Sequence, residues 1–67
     1  MIVVVTGASG LLGRTVAAQL VEAGHEVRTL QRSPARVRGA RDVLGSITEP
    51  AFVSESLAGA DAVVHLA

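Results

Sequence analysis

The stretch TGASGLLGR, Thr6 to Arg14, sits between an apolar run, Ile2 to Val5, and a segment with helical periodicity. Gly7, Gly10 and Gly13 fall at even three-residue spacing, so backbone freedom is concentrated where a first helix should begin. A continuous β-branched run suits a strand buried on both faces, and therefore a parallel sheet. The start of the next helix carries unpaired N–H groups and about half a positive charge. A pyrophosphate can sit there only if side chains leave room. On this reading Gly7 permits the tight turn out of the strand, Gly10 lets the backbone approach a phosphate, and Gly13 lets helix and strand pack closely. The spacing is G-x-x-G-x-x-G rather than G-x-G-x-x-G, and glycines alone carry little. After a strand, and opening a helix within a βαβ unit, they point to a dinucleotide. No GK[ST] follows, which excludes a P-loop. The alternative is a glycine-rich turn that binds nothing.

The rest of the chain alternates strand and helix signals. A helix is predicted over Leu11 to Ala23, with Leu12, Val16, Leu20 and Ala23 on one face, Gly13 and Ala17 flanking it, and Gly24 as the stop. Glu26 to Gln31 reads as a second strand, Ser33 to Ala40 as a loop, and Asp42 to Ile47 as a third strand. Thr48-Glu49-Pro50 opens a helix that ends by Leu57 or Ala58, before Gly59, and Ala62 to Leu66 reads as a fourth buried strand. Alternation of this kind implies right-handed crossovers. The expected fold is α/β: the N-terminal half of a Rossmann-type doubly wound parallel sheet, with strand order 3-2-1-4.

At 67 residues the chain is one small domain at most, and marginal alone. Six basic and six acidic side chains cancel, which gives no reason to expect nucleic acid as a partner. There is no cysteine, so disulfides and thiolate zinc sites are excluded and a reducing compartment is expected. No apolar run reaches the ~18 residues of a membrane span. Met1 leads straight into the first strand without a charged leader, so no signal peptide and a cytoplasmic location are expected.

The segments VTGASGLLGR, GHEVRTLQRSP and ADAVVHLA together resemble the N-terminal part of an extended short-chain dehydrogenase/reductase. That family includes NAD(P)-dependent sugar epimerases, dehydratases, hydroxysteroid dehydrogenases and dihydroflavonol-type reductases. The resemblance implies an NAD(P)-binding Rossmann domain of which residues 1–67 are the first portion, with cofactor contacts along Gly7, Ser9, Gly10, Leu11, Leu12 and Gly13. It implies a small-molecule substrate held by later residues, and it leaves homo-oligomerisation open. Family members work through a Tyr-x-x-x-Lys pair. This chain has neither Tyr nor Lys, so no catalytic residue is assigned on it. The expectation is a piece of a longer enzyme that cannot turn over substrate by itself. A non-catalytic NADP-sensing or binding module of similar fold is the alternative.

The choice of dinucleotide rests on the end of the second strand. An acidic residue about 20 positions past the glycines would accept the ribose hydroxyls of NAD. The residues there are Leu30, Gln31, Arg32 and Ser33, with no acid among them. Arg32, with Val27 and Arg28, matches the V-R-x-x-x-R pattern of the family's NADP-type members, and a guanidinium can grip a 2′-phosphate in a fork. Ser33 and Arg36 are secondary candidates. NADP is therefore the expected cofactor, with NAD as the alternative, and a solvated basic loop is the competing reading of the same arginines. In LGSITE, the resemblance puts Ser46 where the family carries an adenine-facing Asp, leaving the contact weaker or made by backbone at Ile47. In HLA it puts Leu66 and Ala67 near the ribose, and leaves His65 as an ordinary strand residue.

Overall fold

The computed structural model describes residues 1–66. Its elements are strand β1 (Ile2–Thr6), helix α1 (Leu11–Glu22), strand β2 (Glu26–Gln31), strand β3 (Arg41–Leu44), helix α2 (Pro50–Ser56) and strand β4 (Ala62–His65). The four strands form one sheet in the order β3-β2-β1-β4, and every pairing is parallel. This is the expected half of a doubly wound sheet, with β1 and β4 meeting where the strand order reverses.

The larger core cluster lies on the α1 face, while Val4 and Leu30, also fully buried, alternate onto the other. Val3, Val5 and Val27 from the strands pack with Ala8 and Ala17, and with Ala35 from the β2–β3 connection. The opposite face is covered by the seven-residue α2, and there Val63 stays half exposed. The loop after β2 is thus part of the core rather than only a surface connection, because Ala35 is 3% exposed.

The face of α1 differs from the predicted one. Gly13 and Ala17 are its buried residues, Val16, Leu20 and Val21 are half buried, and Leu12 and Ala23 point outward. A methyl group at Gly13 would meet the Gly7 carbonyl oxygen and stand 2.7 Å from Ala8 Cα. With helix and strand backbones that close, only the smallest side chains fit on the seam, and the larger apolar ones are displaced to its margins or into solvent.

Two strands end earlier than predicted. β3 stops at Leu44 because the Ser46 hydroxyl accepts the Thr48 N–H at 3.3 Å and lies 2.6 Å from Thr48 Oγ1, a local turn that draws the chain off the sheet. β4 stops at His65, although the Leu66 N–H still donates to the Thr6 carbonyl at 3.2 Å.

Arg28 has a structural task. Its Nη1 donates to the carbonyls of Ser56 at 3.2 Å and Ala58 at 2.6 Å, satisfying acceptors at the C-terminal end of α2 where a cation is favoured. This places it on the α2 face of the sheet. Arg28→Ala is expected to lower stability by about 1–2 kcal/mol in urea unfolding. An unchanged midpoint would remove Arg28 as the clamp on α2.

Candidate functional site

Thr6 ends β1, and Gly7 turns the chain with φ of +71°, a left-handed conformation that favours glycine. The Gly10 N–H closes this turn on the Gly7 carbonyl at 3.3 Å. Gly10 is then the N-cap of α1, with no side-chain cap and no acidic residue in the first turn. The first-turn N–H groups of Leu11, Leu12 and Gly13 therefore have no side-chain acceptor from the cap. This is a cradle a pyrophosphate fits, since the first-turn donors lack a side-chain cap and no carboxylate stands in that turn to compete.

Beside the cradle lies a cleft of about 390 Å³, lined by Gly7, Ser9, Leu30, Gln31, Arg32, Ser33, Ser46, Ile47 and Thr48. It gathers residues from the ends of β1 and β2 and from the segment after β3. Here Arg32 is exposed, and its Nη2 donates to Ser46 Oγ at 3.4 Å. Ser46, Ile47 and Arg32, separated in sequence, thus share one opening with Gly7 and Ser9. Arg36 is in a neighbouring cleft of about 480 Å³, with Ser9, Arg14 and Arg38 among its lining residues. Ser9 belongs to both clefts and joins them. Leu66 reaches the end of β1, where its N–H bonds Thr6, but lines neither cleft. Ala67 lies outside the described residues.

Behind the cleft is a polar cluster that the sequence did not disclose. Gln31 is 7% exposed, and its side chain is turned under the β2–β3 loop. Its Nε2 donates to Asp42 Oδ1 at 3.0 Å and to Thr29 Oγ1 at 3.2 Å. Thr29 Oγ1 in turn donates to Asp42 Oδ1 at 2.6 Å. The N–H of Ala35 reaches Asp42 Oδ1 at 3.2 Å and that of Arg36 reaches Oδ2 at 3.4 Å. The Thr29 hydroxyl, more than any other group, holds the Asp42 carboxyl below the ordinary aspartate range. Burial opposes this, and the two loop N–H groups and the Gln31 amide assist. The strand register put Thr29 opposite Asp42, and only pairing could reveal it.

A second unforeseen contact joins β1 and β4. Thr6 Oγ1 accepts the Leu66 N–H at 3.1 Å and lies 2.6 Å from His65 Nδ1. The hydroxyl and the ring nitrogen form one hydrogen bond across the β1–β4 pairing. Among the described residues, no group of three or more His, Cys, Asp or Glu could hold a metal ion.

Comparison with known proteins agrees with this geometry. Residues 3–67 match the NAD dependent epimerase/dehydratase family. The chain is 38% identical to a 2-alkyl-3-oxoalkanoate reductase of Stenotrophomonas maltophilia, covering 97% of this chain and 21% of the relative. It is also 38% identical to a 3-beta-hydroxysteroid dehydrogenase of Mycolicibacterium neoaurum, over 97% of this chain and 19% of that one. Among solved structures, a short-chain dehydrogenase/reductase superfamily protein from Agrobacterium tumefaciens with bound NAD superposes with a TM-score of 0.89 at 34% identity, over 100% of this chain and 20% of that one. The chain therefore spans about a fifth of the length of these relatives.

Proposed function

Because this chain belongs to the NAD dependent epimerase/dehydratase family, we propose that it is the dinucleotide-binding portion of an NADP-preferring oxidoreductase, epimerase or dehydratase. The observation that carries the preference is the rim of the cleft at the end of β2. Arg32 lines it, no carboxylate does, and the Asp42 carboxylate is turned to donors beneath the loop. A 2′-phosphate would meet guanidinium there, and the ribose hydroxyls of NAD would meet no acidic acceptor.

The first turn of α1 would hold the pyrophosphate on its backbone N–H groups, with Gly10 leaving the approach open. Arg32 would fork onto the 2′-phosphate, with Arg36 beyond Ser9 as the second cation. Ser46 and Ile47 would flank the adenosine end. When bound, the cofactor supplies hydride transfer, and these residues bind and orient it. The small-molecule substrate would be held by parts of the protein beyond these residues, as expected for a chain that spans a fifth of its relatives.

In the full-length protein, Arg32→Ala is expected to weaken NADPH binding by roughly 10- to 100-fold, the size of one charge-assisted contact. NADH binding should barely change. Calorimetric titration of both cofactors against both proteins tests this. Tighter NADH than NADPH binding by the unaltered protein would overturn the preference, and equal losses for the two cofactors would remove Arg32 as its reader.

A further inference from the structure

We propose that Asp42 is a positioning residue for cofactor selectivity, its carboxylate holding the β2–β3 loop so that the Arg36 guanidinium stands at the 2′-phosphate of NADP. The inference rests on the NADP reading above and adds to it the device that orders the loop.

Arg36 is the only non-glycine residue with positive φ among the described residues, at +56°. Side chains at that backbone angle are disfavoured and persist where the surroundings over-determine them. The surroundings here are Asp42 and the buried Ala35. One carboxylate oxygen accepts the Ala35 N–H and the other accepts the Arg36 N–H. Ala35, pressed into the core beside Val27, fixes the loop from the other side. Between them these contacts set the direction in which the Arg36 side chain leaves the backbone, into the cleft that shares Ser9 with the adenosine cleft.

The same cluster keeps a negative charge near the site from opposing a phosphate. Asp42 lines neither cleft. Its oxygens are taken up by the Thr29 hydroxyl, the Gln31 amide and two loop N–H groups. Gln31 spends its NH₂ group on this arrangement while its own Oε1 is buried without a partner. Leaving a buried acceptor unpaired is unfavourable, so the orientation of Gln31 is dictated by Asp42 rather than by the best use of its own atoms.

Asparagine at position 42 keeps the shape and one acceptor oxygen, and puts an NH₂ group against a donor N–H. It therefore releases one side of the cluster without opening a cavity. The experiment measures dissociation constants for NADPH and NADH, by fluorescence titration of the full-length protein, for the unaltered form, Asp42→Asn, Arg36→Ala and the double variant. Asp42→Asn is expected to weaken NADPH about tenfold, the size of one charge-assisted contact, with NADH unchanged within about twofold. Arg36→Ala should do the same or more, and adding Asp42→Asn to it should cost nothing further in selectivity, because the two act through one group.

A merely structural Asp42 would weaken both cofactors alike, or would still cost tenfold in the Arg36→Ala background, and either result overturns the proposal. So does an unchanged NADPH-to-NADH ratio in Arg36→Ala, which is readable even if Asp42→Asn fails to fold. If the unaltered protein does not prefer NADPH, the NADP reading itself has failed. If it does and the variants leave the ratio alone, the roles of Asp42 and Arg36 have failed while the NADP preference stands.

Discussion

Gly13→Ala is expected to destabilise the protein by about 3 kcal/mol or more and to abolish dinucleotide binding with it. The added Cβ would stand against the Gly7 carbonyl oxygen, 2.7 Å from Ala8 Cα and 2.9 Å from the Gly7 carbonyl carbon. All three are backbone atoms, so no side chain can swing aside. Either α1 lifts off β1, which opens the core around Ala8 and Ala17, or the Gly7 turn shifts and carries the phosphate cradle with it. That loss is a large share of the roughly 5–15 kcal/mol that holds a domain together. Gly10→Ala is the control. Its Cβ would lie 3.7 Å from the Gly7 carbonyl oxygen, an ordinary contact, and its φ of −79° suits any residue. It should stay within about 1 kcal/mol of the unaltered protein while weakening dinucleotide binding, since its methyl group stands where phosphates approach. Urea unfolding with cofactor titration separates the two. A Gly13→Ala protein as stable as Gly10→Ala would show that the close helix–strand contact is not required.

Gln31→Asp is expected to cost about 2–4 kcal/mol at pH 7 rather than simply converting the protein to NAD. The obvious route to an NAD site is a carboxylate at the end of β2, but this position is 7% exposed and its side chain lies against Asp42 Oδ1. Two carboxylates about 4 Å apart repel by about 4 kcal/mol at an effective dielectric constant of 20, and one escapes by holding a proton. The sign with pH follows. In the unaltered protein the lowered Asp42 pKa contributes stability that is present above the ordinary carboxylate range and is lost as pH falls through the folded value. In Gln31→Asp one acid has a raised pKa, so its deficit relative to the unaltered protein should shrink as pH falls from 7 toward 4. The double variant Gln31→Asp with Asp42→Asn removes the second charge and should be more stable than Gln31→Asp alone. Unfolding midpoints at pH 7 and 5 for these proteins check it. Full stability of Gln31→Asp at pH 7 would mean that the new carboxylate turns outward, away from Asp42.

The element order, the parallel sheet, the strand order β3-β2-β1-β4 and the seat of the first glycine turn were legible in the sequence, because each follows from local preference. A β-branched run, a helical period, a proline at a helix start and a glycine with positive φ act on their own few residues, and the crossover rule then allows little choice of topology. The family resemblance helps to put Arg32, Ser46 and Ile47 at the cofactor, and the structure brings them to one opening. What only the tertiary structure decided depends on which residues the register and the layers bring face to face. Helical periodicity could place Leu12, Val16, Leu20 and Ala23 on one stripe. The close approach of α1 to β1 was expected at Gly13, but periodicity could not show that Gly13 and Ala17 take the seam itself and leave Leu12 in solvent. Matching Arg28 to a sequence pattern could not disclose that the carbonyls of Ser56 and Ala58 at the end of α2 claim its guanidinium. The Thr29–Gln31–Asp42 cluster and the Thr6–His65 contact join residues up to 59 positions apart, and no periodicity within either segment carries information about its partner. Local backbone chemistry fixed the scaffold, and long-range pairing chose which polar groups on it would be satisfied by one another and which were left facing the cleft.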